Sequence, residues 1–168
     1  MRCLVTVASK HGSSEGLGEA VARGLRGRGF DVDVRAPDDV EDVAPYDVVV
    51  IGSAVYGGHW MRAAKALVQR HSAALRWRDV WLFSSGPLGN PPVPAGEPAD
   101  VAGVLSESGA RGHVLLAGAL DPCDLRLAER LVVRAVKAPY GDFRDWTAVD
   151  RWVEQIVGSA GVPAVVHG

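Results

Sequence analysis

Three serine- and glycine-bearing segments of this chain have the composition of ligand-binding loops. The first, residues 9–14, follows an apolar run and precedes a segment with helical periodicity. Hydroxyl groups and backbone N–H groups at a helix N-terminus form a seat suited to phosphate. The sequence matches neither G-x-x-x-x-G-K-[ST] nor G-x-G-x-x-G, so the ATP-type and dinucleotide fingerprints do not apply. By itself this segment leaves phosphate binding and an ordinary turn equally open.

The other two segments contain features that suit a flat ligand. Residues 53–59 include two consecutive glycines between Tyr56 and Trp60. Consecutive glycines allow positive φ and close backbone approach, and the two aromatic side chains could cover a ring system. Trp60 could instead anchor the core, and Tyr56 could be an ordinary surface residue. The third segment, residues 84–89, offers backbone donors, but alone it is also compatible with a simple Pro/Gly turn.

Alternating strand and helix patterns place all three segments directly after strands. Apolar runs predict strands at residues 2–8, 30–35, 46–52, 79–85 and 113–119. Helical periodicity predicts helices at 14–29, 60–72, 98–109, 124–137 and 146–157, with one further turn near 39–43 and Asp145 capping the last helix. Strands that alternate with helices require right-handed crossovers and a parallel sheet covered on both faces. The sequence therefore predicts an α/β fold with a doubly wound five-stranded parallel sheet. Ligands bind at the carboxyl ends of such strands, where the three segments meet.

Composition narrows the class of protein. The chain has 168 residues, of which 48% are apolar and 23% are charged, as expected for one soluble domain. A formal net charge of −2 and the lack of a basic stripe argue against nucleic-acid binding. Cys3 and Cys123 lie far apart with no metal-ligand spacing, which favours a reducing, cytosolic compartment. We find no signal peptide, no run of membrane-spanning length, no metal cluster and no Ser-His-Asp pattern.

Taken together, the three segments resemble those of the flavodoxin family. In that family a hydroxyl-rich phosphate loop follows the first strand, and glycine-bearing loops follow the third and fourth. The chain is most similar to the flavodoxin-like menaquinone-dependent protoporphyrinogen oxidases, on residues 50–60, 117–120 and 145–146 and on an insertion between Ala119 and Trp146. The resemblance covers about residues 2–157. It implies one domain over 1–157 with strand order 2-1-3-4-5 and a helical insertion at about 121–140, followed by a flexible tail at 158–168.

The same resemblance implies FMN as the cofactor. Its 5′-phosphate would lie in the first segment and its isoalloxazine ring between the second and the third. The matching residues are Ser9, Lys10, His11, Gly12, Ser13, Ser14, Ser53, Ala54, Val55, Tyr56, Gly57, Gly58, Ser84, Ser85, Gly86 and Gly89. Lys10 and His11 differ from the acidic or small residues often found there, and they could face either the phosphate or solvent. We expect no catalytic side chain and no metal ligand, since the flavin carries the chemistry.

The resemblance implies a flavin-dependent oxidoreductase and leaves its substrate open. The first interpretation is an oxidase of haem biosynthesis that passes electrons from a porphyrinogen to a quinone. An apolar helix in the insertion, with Arg126, Arg130 and Arg134 along one face, suits carboxylates or lipid headgroups, although it could simply pack on the sheet. The alternative is a flavodoxin-type electron carrier, or a small flavin- or deazaflavin-dependent reductase, with a redox partner protein. Carriers usually present a strongly acidic face, so the net charge of −2 favours the oxidase. We expect a cytoplasmic protein with at most peripheral contact with the inner face of the membrane.

Overall fold

A computed structural model describes residues 1–10, 12–86, 96–120, 130, 134 and 140–161. The strands in this part of the chain are β1 (Arg2–Ala8), β2 (Asp31–Arg35), β3 (Val48–Tyr56), β4 (His59–Trp60), β5 (Asp79–Ser85), β6 (Gly112–Leu116), β7 (Ala119–Leu120) and β8 (Gly141–Asp142). The α-helices are α1 (Ser13–Arg26), α2 (Arg62–Leu75), α3 (Val101–Ser108) and α4 (Trp146–Ser159), and a 3₁₀ turn covers Pro37–Asp39. None of the described helices is both long and apolar enough to cross a membrane.

Five of these strands form the predicted parallel sheet, in the order β2-β1-β3-β5-β6. This is the order 2-1-3-4-5 of the five long strands, so the predicted α/β flavodoxin-like fold is confirmed. Alternate residues of β1 supply two cores, because successive side chains of a strand point to opposite faces. Cys3 and Val5 face α1 and α4, whereas Leu4 faces α2 and α3.

The second predicted loop is largely strand, which corrects its boundaries. β3 continues through residues 53–56 and pairs with β4 in an antiparallel hairpin, with Tyr56 opposite His59. Gly57 and Gly58 form the two-residue turn, with φ of 58° and 81°. A tight hairpin of this kind needs positive φ at both central positions, which two glycines supply. Helix α2 therefore begins at Arg62 rather than at Trp60.

Other boundaries differ by a few residues from those predicted. β6 ends at Leu116, and Ala119 pairs with Asp142 in a separate two-stranded antiparallel sheet of β7 and β8. Helix α4 extends to Ser159, two residues into the segment predicted as a tail, and the Asp145 side chain accepts a hydrogen bond from the Ala148 N–H at 3.1 Å, as predicted for its cap. The predicted helix 124–137 lies outside the described residues, except for the exposed, helical Arg130 and Arg134. Residues 162–168 of the predicted tail also lie outside them.

Candidate functional site

Two adjoining clefts open at the carboxyl edge of the sheet. The smaller, of about 80 Å³, is lined by predicted residues from all three segments: Ser9, Ser13, Ser14, Ala54, Val55, Tyr56, Ser85 and Gly86. The larger, of about 250 Å³, lies between the β3–β4 hairpin and residues 96–99 and includes Gly57, Gly58 and His59. Val55 and Gly86 line both clefts. The structure therefore brings the three segments together around these two adjoining clefts, which together are called the recess.

The loop after β1 presents the first turn of α1 to the smaller cleft. Gly12 has φ of 79°, a left-handed conformation that a glycine adopts without strain. Its N–H donates to Ser9 Oγ at 3.1 Å, and its carbonyl accepts from the Gly16 N–H at 3.0 Å. No described side chain caps α1, so the N–H groups of its first turn are available to an anion.

Serine hydroxyls complete the polar lining of this cleft. Ser13 Oγ accepts a hydrogen bond from the Ala119 N–H at 2.8 Å, which leaves the hydroxyl hydrogen of Ser13 for another acceptor. Ser14 is buried at the same helix end and also lines the cleft. Lys10 is exposed at the surface, and His11 and Gly89 lie outside the described residues. The described lining of this cleft offers neutral hydroxyls and backbone N–H groups, which suit a phosphate.

The β3–β4 hairpin forms one wall of the larger cleft. Tyr56 is 44% exposed at its tip, and partial burial raises the pKa of its hydroxyl. The Gly58 carbonyl accepts a hydrogen bond from the Ala99 N–H at 2.9 Å, which ties the tip to the opposite wall. The exposed aromatic ring and the side-chain-free turn leave this end of the recess open to a flat ligand.

Ser53 and Ser84 occupy a different place from the other predicted residues. Both are fully buried. Ser53 Oγ donates to the Ala54 carbonyl at 2.8 Å and accepts from the Met61 N–H at 2.9 Å. Because the hydroxyls of both serines face partners inside the fold, the structure places them beneath the cleft wall and not on its surface. Trp60, whose role was open, is a core residue with 2% exposure.

Asp100, which directly follows the wall residues 96–99 of the larger cleft, was not predicted from the sequence. Its carboxylate accepts hydrogen bonds from the Trp60 N–H at 2.9 Å and the Lys65 Nζ at 3.2 Å, and lies 3.2 Å from His59 Nδ1. Partial burial acts to raise the pKa of Asp100, but these hydrogen bonds, that from His59 first, outweigh it and lower the pKa. The only signal in the sequence was an acidic residue in the first turn of the helix predicted at 98–109, and the structure places Asp100 immediately before that helix.

His113 and Glu97 were also missed. His113 Nε2 lies 2.7 Å from Ser84 Oγ, which in turn accepts from the Trp60 Nε1–H at 2.7 Å. On the other side of the ring, His113 Nδ1 lies 3.2 Å from the Glu97 carboxylate at the larger cleft. Burial lowers the pKa of His113, while Glu97 opposes this shift. Nothing in the sequence pairs a histidine on one strand with a glutamate 16 residues earlier.

Solved flavodoxin structures are similar to this chain over almost its whole length. A flavodoxin from the domain Archaea aligns with a TM-score of 0.64 and 13% identity, covering 95% of this chain and 99% of that one. Flavodoxin 2 from Bacillus cereus gives a TM-score of 0.63 at 17% identity, and a point mutant of the flavodoxin from Pseudomonas aeruginosa gives 0.63 at 13%, each covering 95% of this chain and 99% of the other. At these identities the likeness establishes the fold. No curated protein sequence is significantly similar to the chain.

The family is established by the sequence itself. The model of the flavodoxin domain matches residues 4–147, which is most of the chain. This match indicates FMN binding, and the smaller cleft fits it, because hydroxyl and N–H donors at the start of α1 suit a phosphate group. The chain belongs to the flavodoxin domain family.

Proposed function

We propose that this chain is an FMN-dependent electron carrier of the flavodoxin type that exchanges electrons with a redox partner protein. The observation that supports this most directly is the recess at the carboxyl edge of the sheet. There a phosphate-type loop and a glycine hairpin open into clefts that share Val55 and Gly86. Membership of the flavodoxin domain family supports the same function.

Each part of the recess has a separate task in this proposal. Ser9, Ser13 and the first-turn N–H groups of α1 bind the phosphate, and hydrogen bonds to a charged group contribute about 1.5–3 kcal/mol each. The hairpin tip and residues 96–99 flank the ring. Bound FMN supplies the redox chemistry. The exposed Tyr56 at the hairpin tip leaves this edge accessible to a partner.

The oxidase interpretation has less support than the carrier interpretation. The feature that motivated it, an apolar helix at residues 124–137 in the insertion, lies outside the described residues except for Arg130 and Arg134. Three flavodoxin structures each cover 95% of this chain and 99% of their own length. The net charge of −2 is small for a carrier, so we propose that docking depends on contact around the hairpin more than on long-range attraction.

A titration with FMN and riboflavin tests the cofactor and the position of its phosphate. Ser14→Glu puts a carboxylate at the first turn of α1, where it competes with the phosphate. We expect the Kd for FMN to rise at least tenfold, or about 1.4 kcal/mol, and the Kd for riboflavin to change much less. Ser106→Glu adds the same charge at an exposed position of α3 and serves as the matched control. Equal FMN affinities in the two variants would place the phosphate elsewhere.

Electron exchange separates the carrier from the oxidase. The FMN-loaded protein is mixed in a stopped-flow instrument with a reduced ferredoxin reductase, and flavin reduction is followed by absorbance. In parallel it is incubated anaerobically with protoporphyrinogen and a menaquinone analogue, and porphyrin fluorescence is recorded. The proposal predicts rapid reduction in the first assay and no fluorescence gain over free FMN in the second. The reverse pattern would overturn it in favour of the oxidase.

A further inference from the structure

A chain of hydrogen bonds runs from the core beneath the hairpin to the rim of the larger cleft. It links Trp60 Nε1 to Ser84 Oγ at 2.7 Å and Ser84 Oγ to His113 Nε2 at 2.7 Å. It ends at the Glu97 carboxylate, 3.2 Å from His113 Nδ1. The His113 side chain is 3% exposed, whereas that of Glu97 is 68% exposed. A buried histidine therefore connects the interior with a wall of the cleft.

The order of donors along this chain fixes the tautomer of His113. An indole N–H can only donate, so Ser84 Oγ accepts from Trp60. Ser84 Oγ has a second lone pair, so the Glu97 carboxylate, which can only accept, decides the tautomer: it holds a proton on Nδ1 and leaves Nε2 of the neutral ring to accept the hydroxyl hydrogen of Ser84. The proton of the neutral ring lies on Nδ1 and is donated to Glu97. When His113 is neutral, each donor in this series of hydrogen bonds has an acceptor.

Protonation of His113 disrupts this order. Nε2 becomes a donor, so the hydroxyl of Ser84 faces two donors and its hydrogen loses its acceptor among the described residues. A buried imidazolium also loses hydration, and burial accordingly lowers the pKa of His113 from its ordinary value of 6.5. The neighbouring groups are Ser84 on β5, the Trp60 indole on β4 and Glu97 on the 96–100 segment, and of these Glu97 alone is charged. Its carboxylate raises the pKa of His113 but does not cancel the effect of burial.

The hydrogen bonds that run through His113 connect both walls of the larger cleft. Trp60 pairs with Val55 in the hairpin, and Glu97 stands in the opposite wall. The same two walls are also joined where the Ala99 N–H donates to the Gly58 carbonyl. A change in hydrogen bonding at His113 therefore reaches both sides of the recess at once.

We propose that His113 is a positioning residue whose protonation loosens the two walls of the larger cleft and weakens flavin binding in mildly acidic solution. This inference rests on the proposed FMN function. His113 does not line the cleft itself, so it acts on one wall through Ser84 and Trp60 and on the other through Glu97.

The test compares the pH dependence of FMN affinity in the wild type and in His113→Gln. Glutamine keeps a side-chain acceptor and a donor but does not titrate. Because the phosphate of FMN itself titrates near pH 6, the informative quantity is the difference between the two proteins. We expect the wild type to lose at least threefold more affinity than His113→Gln between pH 7.5 and pH 5.0. His71→Gln, on α2, removes a histidine elsewhere and should match the wild type.

Two further measurements distinguish failure of the His113 proposal from failure of the proposed FMN function. Glu97→Gln removes the carboxylate that favours the charged ring, so it should shift the extra loss of affinity to lower pH. In the FMN-free wild-type protein, the indole N–H resonance of Trp60 should titrate below pH 6.5, and this titration should vanish in His113→Gln. Parallel pH profiles in the wild type and His113→Gln, or a Trp60 resonance that does not change with pH, would overturn the inference. Absence of FMN binding at pH 7.5 in the wild type would instead overturn the proposed function, and the Trp60 titration would still decide the coupling.

Discussion

Gly52→Ala should damage the fold directly beneath the site. Gly52 lies in β3 opposite Phe83 of β5. A Cβ atom at Gly52 would lie 2.1 Å from Phe83 Cζ and 2.3 Å from Phe83 Cε1, far inside any normal contact. Phe83 has no room to withdraw, because it is fully buried and packs edge-on against Trp152 at a ring-centroid distance of 5.7 Å. One methyl group therefore forces a ring or a strand to move.

The expected cost follows from the size of this overlap. Overpacking a well-packed core costs about 1–3 kcal/mol, and we expect the upper part of this range because the ring contacted is immobile. For a domain of this size each kcal/mol lowers the Tm by about 2–4 °C. Gly52→Ala should therefore lose about 2–3 kcal/mol and about 4–12 °C in Tm.

Thermal and urea denaturation, followed by circular dichroism, measure this loss. Gly103→Ala is the matched control, because Gly103 lies in helix α3 with no atom near its would-be Cβ. The same chemical change there should stabilise the protein by about 0.5–1 kcal/mol. In a Phe83→Leu background Gly52→Ala should lose most of its cost, since the ring is gone. A cost below about 0.5 kcal/mol, or an equal cost in both backgrounds, would refute the steric explanation.

Three further predictions concern individual interactions. Ser84→Ala removes the acceptor of the buried Trp60 Nε1–H and should cost about 1–3 kcal/mol in urea denaturation; an unchanged midpoint would contradict this. Gly12→Ala places a side chain at φ of 79°, which costs about 1–2 kcal/mol, and titration should show FMN affinity falling more than riboflavin affinity. Burial raises the pKa of the Cys3 thiol to about 12, so its thiolate is scarce at neutral pH. Peptide mass spectrometry should show alkylation of Cys3 by iodoacetamide only after unfolding, and rapid labelling of the native protein would be inconsistent with that burial.

The site was only partly predictable from the sequence, because some of the predicted residues line the clefts and others are buried beneath them. Loop composition pointed to Ser9, Ser13 and Tyr56, and these do line the smaller cleft. It pointed equally to Ser53 and Ser84, whose side chains turn inward. Successive side chains of a strand point to opposite faces of the sheet. The sequence alone did not show that β3 continues past Gly52 and includes Ser53. The hairpin extended β3, and this extension determined that the Ser53 side chain is buried.

The sequence by itself determined the layered fold and the position of the phosphate-type loop, because both depend on local patterns. An apolar run such as that of β1 forms a strand that is buried on both faces of the sheet. The phosphate-type loop is recognisable from its own residues, which include Gly12 immediately before α1. Only the tertiary structure decided the link between Ser84, His113 and Glu97. That link depends on the register of β5 with β6, in which Leu82 stands beside His113. A slip of one residue would turn His113 to the other face of the sheet, and no local pattern in the sequence specifies that register.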